Sequence, residues 1–238
     1  MTLTKLKRES MKSYQWIYDH VMERVEREKV VARYDQVRSV DEITQLDDSY
    51  LLSNLSRRVF RAGIKHSVVD AKWPEFEKAF FGFVPQKVAL MSDDQLEKLM
   101  QNDKIIRHWG KIKSTRLNAF MVTEYIEKYG SFASFIAQWP VDDIVGLWIE
   151  LKKQGAHLGG NSAAYFLRLI AKDTFVLTDD VVAALIAQGI VDRCPTSQRD
   201  LRLVQQAFNQ WHEQSGEPLS HISRLLAHTV GWEADIFK

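Results

Sequence analysis

The sequence predicts an all-α protein, on three observations. Apolar residues recur at helical spacing through most of the chain, as in Ile144, Leu147, Trp148 and Leu151. The punctuation is that of helices: Ser92-Asp93-Asp94-Gln95 is a capping-box pattern, and glycines or prolines follow most periodic segments. No stretch keeps the period-two alternation of a half-buried strand.

Taken in order, residues 12–32 predict one charged amphipathic helix, with Trp16, Ile17, Val21, Val25 and Val30 among Arg, Lys and Glu. The pattern weakens into polar sequence from Asp35 to Asp48 and resumes with Leu51, Leu52, Leu55, Val59 and Phe60. Pro74, favoured in the first turn of a helix, predicts a start there with Phe76, Ala79, Phe80 and Phe83 inward. The capping box at Ser92 opens a helix carrying Leu96, Leu99 and Met100. Tyr125, Phe132, Phe135, Ile136 and Trp139 supply further core before the boundary at Pro140. Phe175-Val176-Leu177-Thr178 is a short extended approach to Asp179-Asp180, after which Val181, Val182, Ala184, Leu185 and Ile186 form a helix. Two more helices follow, one through Leu201, Val204, Phe208 and Trp211 and one through Ile222, Leu225, Leu226 and Val230.

The chain has 238 residues and net charge +1, from 32 Lys and Arg against 31 Asp and Glu, so local clusters alone bear on a polyanionic partner. Its single cysteine, Cys194, excludes an internal disulfide and a cysteine-rich metal centre, and points to a reducing compartment. No apolar run approaches the roughly 18–20 residues of a membrane span, and the Met1–Lys5 start lacks the apolar segment of a signal peptide. The expectation is an intracellular monomer that does not engage membranes.

Two kinds of local feature carry chemistry. Between Leu151 and Phe166 the chain reads as helix, glycine turn and helix: Gly155 stands where a helix end places its left-handed residue, and Leu158-Gly159-Gly160 turns sharply. Asn161 or Ser162 then caps a helix whose free amides point at an anion. Basic residues cluster twice, in Arg57-Arg58-Val59-Phe60-Arg61-Ala62-Gly63-Ile64-Lys65-His66 and in Arg107-His108-Trp109-Gly110-Lys111-Ile112-Lys113-Ser114-Thr115-Arg116. Cations interleaved with an aromatic suit a phosphate-rich partner, whereas solvated helix faces are the alternative.

Several segments in fixed order resemble the 3-methyladenine DNA glycosylase I family: Ala62-Gly63-Ile64, the stretch from Phe76 to Pro85, Met91 to Gln95, Ile105 to Ile112, Asn118-Ala119 and Leu151 to Gly155. The downstream half resembles the wider helix-hairpin-helix glycosylase superfamily through Leu158-Gly159-Gly160-Asn161-Ser162-Ala163, with His157 where that hairpin usually has its first glycine. The resemblance implies two helical subdomains flanking a groove, with a central one over 50–180 and a terminal one over 1–49 plus 181–238. It implies a cytoplasmic enzyme of a bacterial cell, at the nucleoid during repair, that removes an alkylated or otherwise damaged base from double-stranded DNA without a cofactor. The alternative is a non-catalytic DNA-binding or damage-sensing protein on the same fold.

The resemblance also distributes roles. Leu158, Gly159, Gly160, Asn161 and Ser162 form the phosphate clamp, and Arg57, Arg58, Lys65, Arg107, Lys111 and Lys113 add contacts to DNA. The superfamily's aspartate follows the hairpin at a helix start, which favours Asp180 as the catalytic acid with Asp179 as the alternative; capping is the competing role for both. Trp16, Phe60, His66 and Trp73 are candidates for a base pocket or duplex wedge, with core packing as the competing role of the aromatics. Strand-cleaving members carry a lysine just before the hairpin Ser or Thr, and Asn161 in that slot implies a monofunctional enzyme. The family's zinc needs two cysteines and two histidines, so none is expected. Its base-contacting glutamate is replaced by Arg58, and its tryptophan four residues after the alanine of the Ala-Gly pair by His66.

Overall fold

The computed structural model describes residues 11–230, so the Met1–Lys5 start lies outside the described residues. Fourteen α-helices are described, with no strand among the described residues. In chain order they are α1 (Tyr14–Met22), α2 (Arg27–Val31), α3 (Val40–Thr44), α4 (Asp48–Arg61), α5 (His66–Ala79), α6 (Pro85–Ala89) and α7 (Asp93–Leu99). There follow α8 (Trp109–Tyr129), α9 (Phe132–Gln138), α10 (Ile144–Gln154), α11 (Ser162–Leu169), α12 (Asp179–Ala187), α13 (Gln198–Ser215) and α14 (Leu219–Ala227).

The chain divides into two compact units. One comprises Arg38–Trp139 and Gly146–Lys172; the other comprises the described residues up to Val37, Pro140–Val145 and those from Asp173 onward. The division therefore falls at Val37 and Lys172 rather than near 49 and 180. The polar segment after Asp35 contains α3, which a complete capping box between Ser39 and Glu42 starts and whose Ile43 is buried in the unit that also holds α9. At the other boundary the buried segment 173–177 belongs with α14. Asp173 accepts from the amides of Leu219 and Ser220, both at 2.9 Å, and the Val176 amide donates to Ser223 Oγ at 3.3 Å.

In the first unit Asp47 caps α4, accepting from the amides of Ser49 and Tyr50. Leu51, Leu52, Leu55, Val59 and Phe60 are buried along that helix. Phe60, Trp73, Phe76, Phe80 and Phe83 make a continuous aromatic core, with Trp73 and Phe83 stacked at 5.4 Å. Pro74 does not start a helix: α5 begins at His66 and carries Pro74 in its interior. Proline there cannot donate to the carbonyl of Asp70, but Val69, Trp73 and Phe76 are buried on the same helix and hold it together. The expected helix from Phe76 to Pro85 is interrupted by Phe81-Gly82-Phe83, at φ of 54, 66 and 57°, a left-handed turn that buries Phe83 and leaves Phe81 exposed. Helix α8 runs through this unit with Ile112, Thr115, Asn118, Ala119 and Val122 all buried.

In the second unit the single helix expected over 12–32 is two. Ile17, Val21 and Val25 keep a four-residue spacing, but Val30 comes five residues later, and the chain restarts as α2 to bury it. Phe175 stacks on Phe208 at 4.1 Å, and Trp211 Nε1 donates to the carbonyl of Lys12 at 2.9 Å. Asp173 is the polar anchor of this unit, since its buried carboxylate serves two amides at the start of α14. Replacing Asp173 by Ala is expected to cost about 2–4 kcal/mol, because both buried amides lose their charged acceptor. Urea unfolding monitored by circular dichroism checks this.

Candidate nucleic-acid interface

Helix α10 is anchored by buried Ile144, Leu147, Trp148 and Leu151 and ends at Gln154. Gly155 is not left-handed; positive φ falls on His157, at 61°, and on Gly160, at 57°. Gly155 is required for close approach. A β-carbon on it would lie 2.5 Å from Leu158 Cδ1, 2.9 Å from the Leu151 carbonyl oxygen and 3.1 Å from Asn118 Oδ1. Asn118 explains the crowding, because its side-chain amide pairs with both backbone groups of Ala156. It accepts from the amide at 2.7 Å and donates to the carbonyl at 3.1 Å. Leu158 is buried beneath the turn while Gly159 and Gly160 are exposed.

The turn closes with the Ser162 amide donating to Gly159 O at 3.1 Å and the Tyr165 amide to Asn161 O at 2.9 Å. Asn161 occupies the N-cap position of α11 but makes no side-chain capping bond. Between these two bonded amides, those of Ala163 and Ala164 have no acceptor within the helix. They stand beside two exposed glycines, an arrangement able to bind a phosphate oxygen through backbone alone. Leu158 and Ser162 are buried, so their part in a clamp is to hold the backbone.

The second basic segment meets this turn. Gly110 lies between two imidazoles: a β-carbon on it would be 3.7 Å from His108 Nδ1 and 3.9 Å from His157 Nε2. His108 caps α8, its Nδ1 accepting from the Lys111 amide at 3.3 Å. Arg107, Trp109 and Lys113 are exposed around it. Lys111 is not available to DNA. It is buried, with its ammonium donating to the carbonyls of Phe60 and Ala62 at the end of α4. Burial, with the Arg58 charge adding to it, holds its pKa below the usual lysine value. The sequence gives no way to separate it from Lys113, because both sit in one cationic run. Lys152, absent from the expected contacts, reaches the turn, its Cε lying 3.8 Å from where a Gly159 β-carbon would be.

In the first basic segment Arg57 and Arg58 are half-buried over aromatic rings, Arg57 at 4.9 Å from Trp73 and Arg58 at 4.6 Å from Tyr165. Lys65 is exposed. Of the expected base-pocket residues, Phe60 and Trp73 belong to the closed aromatic core, at 0% and 1% exposure, and offer no face to a base. Trp73 Nε1 also donates to Ser53 Oγ at 3.0 Å. Their large apolar area is what puts them inside. His66 is exposed at the start of α5. Trp16 belongs to the other unit, where it stacks on His20 at 4.7 Å.

Asp179 and Asp180 are the first residues of α12, and both are exposed. Neither is the cap: Thr178 accepts from the Val181 amide at 3.3 Å. Asp180 acts on His228, whose pKa is lowered by burial and by Arg33 and Arg224 and is raised in part by the Asp180 carboxylate. Cys194 is the single cysteine, and no three His, Cys, Asp or Glu side chains converge among the described residues.

The methyladenine glycosylase profile matches residues 26–157, more than half of the chain. The chain belongs to the methyladenine glycosylase family. Within that family it is 29% identical over 94 residues to DNA-3-methyladenine glycosylase 1 of Escherichia coli K12, a match that covers 40% of this chain and 50% of the relative. The match thus spans about half the length of that curated relative. The fold is shared with 3-methyladenine DNA glycosylase I in complex with 3-methyladenine, at TM-score 0.50 and 22% identity, covering 65% of this chain and 86% of the other. It is shared more completely with the Methanocaldococcus jannaschii 8-oxoguanine glycosylase/lyase in complex with a 15mer DNA containing 8-oxoguanine. There the TM-score is 0.50 at 12% identity, covering 89% and 95% of the two chains.

Proposed function

We propose that this member of the methyladenine glycosylase family is a monofunctional DNA glycosylase that hydrolyses the bond between a damaged base and its sugar after flipping the nucleotide out of double-stranded DNA. The observation that carries the proposal is the glycine turn at Gly159-Gly160. It presents the amide end of α11, without a side-chain cap, at a turn that Lys152 reaches and that meets, at Gly110, the segment carrying exposed Arg107 and Lys113, on a fold shared with a glycosylase bound to DNA. Backbone amides and flanking cations bind phosphate irrespective of base, and a poorly paired base leaves the stack at the lowest cost.

The chemical step breaks the C1′–N bond, with the electron pair leaving on the base and positive charge developing at C1′. A carboxylate beside that centre stabilises the charge and accepts the proton of the water that attacks C1′. Asp180 is assigned this role, with Asp179 as its alternative, and both keep exposed carboxylates because Thr178 does the capping. Asn161 supplies no amine at the turn, so no imine with C1′ forms from that position. No described helix is long and apolar enough to cross a membrane.

A non-catalytic damage-binding role is the second reading, favoured by Arg58 standing where the family resemblance places an acid. Duplexes carrying single modified bases, incubated with the protein and then heated in alkali, separate the two. Strand breaks only after alkali are expected, with no protein–DNA adduct trapped by borohydride. Salt-dependent binding without any break supports the damage-binding role, and a trapped adduct overturns the monofunctional assignment.

A further inference from the structure

Helix α8 has a second face that is left uncovered. Its inner face buries Ile112, Thr115, Ala119 and Val122. On the outer face Trp109, Leu117 and Phe120 are 38%, 44% and 48% exposed, with exposed Lys113, Glu124 and Lys128 between and beyond them. At helical spacing all of these fall within an arc of about 100°. Every other described helix carries at most one large apolar side chain this exposed. Single ones are ordinary surface, whereas a stripe marks an interaction. Lys113 and Glu124 form no ion pair with another described side chain.

The order of residues along this stripe is complementary to itself. Counted outward from the midpoint between Asn118 and Ala119, Leu117 mirrors Phe120, Lys113 mirrors Glu124 and Trp109 mirrors Lys128. A two-fold axis through that midpoint sets a second copy of the helix antiparallel, so that each residue meets its mirror. Leu117 then packs on Phe120 at the centre, with an ammonium facing a carboxylate on either side. Lys128, which lies over the Tyr129 ring of its own chain, reaches the indole of the other. Parallel pairing would set lysine on lysine. We propose that the outer face of α8 is a self-association surface, on which a second copy of this chain docks antiparallel about that midpoint. The proposal departs from the expected monomer and does not rest on the glycosylase reading. One helix pair falls short of the roughly 1,200 Å² of a stable complex, so the dimer forms only at high protein concentration. Lys113 also belongs to the surface assigned to DNA, part of which the docked copy covers.

Sedimentation equilibrium of the full chain tests this. The protein is expected to be monomeric at about 10 μM and at least half dimeric at about 1 mM. Lys113→Glu and Glu124→Lys each place two like-charged contacts in the dimer, because the axis repeats every contact, and each is expected to weaken it about tenfold. Combining both changes in one chain, or mixing the two single variants in equal amounts, restores the opposite-charge pairs and should return association to within about threefold. The double variant keeps the net charge of the protein, so general attraction between an acidic and a basic chain does not account for its recovery. Recovery on mixing also shows that both single variants fold. Leu117→Asn should weaken the dimer by about tenfold with every charge in place. A chain that stays monomeric at the higher concentration overturns the inference, as does a dimer that both charge reversals leave unchanged, or one whose loss neither the double variant nor the mixture repairs. Monomeric protein in which Leu117→Asn weakens binding of duplex DNA gives the stripe to DNA and overturns it too.

Discussion

Asp180→Asn is expected to lower single-turnover base excision by about 10²–10⁴-fold, the range lost when a group that stabilises developing charge or moves a proton is removed. Affinity for DNA containing an abasic site should stay within about threefold, because phosphate binding is assigned to the turn and its flanking cations rather than to the acid. The fold should also survive. Asp180 is exposed and the start of α12 is capped by Thr178, so neither packing nor capping is lost. One spectroscopic consequence is separate from activity. The Asp180 carboxylate raises the pKa of half-buried His228 against the lowering by burial, Arg33 and Arg224, so the His228 ring should titrate at lower pH in the variant. Loss of excision in Asp179→Asn alone moves the role to that residue, and full excision in both variants removes the carboxylates from the mechanism.

Gly155→Ala is expected to destabilise the protein by about 1–3 kcal/mol, the cost of forcing a carbon into a filled space. Among the atoms it would meet is the Leu151 carbonyl, which cannot rotate away, and the nearest is the buried Leu158 that plugs the turn. For a chain of this size the loss appears as a fall of roughly 2–4 °C in Tm for each kcal/mol. DNA affinity should fall with it by more than about tenfold, since Leu158 and Ala156 position the amides of the turn. Gly159→Ala is the contrasting variant. Its β-carbon would meet only Lys152 Cε, at 3.8 Å, an ordinary contact, so Tm should hold while the methyl group obstructs the phosphate and weakens DNA binding. Equal Tm losses in the two variants would show that close packing at Gly155 is not what the turn depends on.

Which features were legible in the sequence follows from what each depends on. Helices such as α4 and α10 announce themselves through apolar spacing alone, and the hairpin through its glycines. The capped helix α3 is written plainly as Ser39 and Glu42, but five residues with one buried isoleucine give no periodicity to notice. Pro74 misleads because a first-turn preference says nothing of whether Trp73 and Phe76 will hold an interior proline in place. The site is harder for the same reason. Lys111 and Lys113 are indistinguishable as letters, yet one lies inward to close α4 and the other lies in solvent. Phe60 and Trp73 have the right chemistry for a base, and only their shared burial removes them. Asn118 shows the reverse: 38 residues separate it from Ala156, so its grip on the turn is invisible along the chain.

That grip has a kinetic side. Asn118 in the middle of α8 and His108 at its start both belong to one long helix that borders the turn, one through hydrogen bonds to Ala156 and the other across Gly110. If the turn binds phosphate as proposed, anchored in this way it would reach the duplex already shaped, and association should then depend on ionic strength without a slow loop-ordering phase.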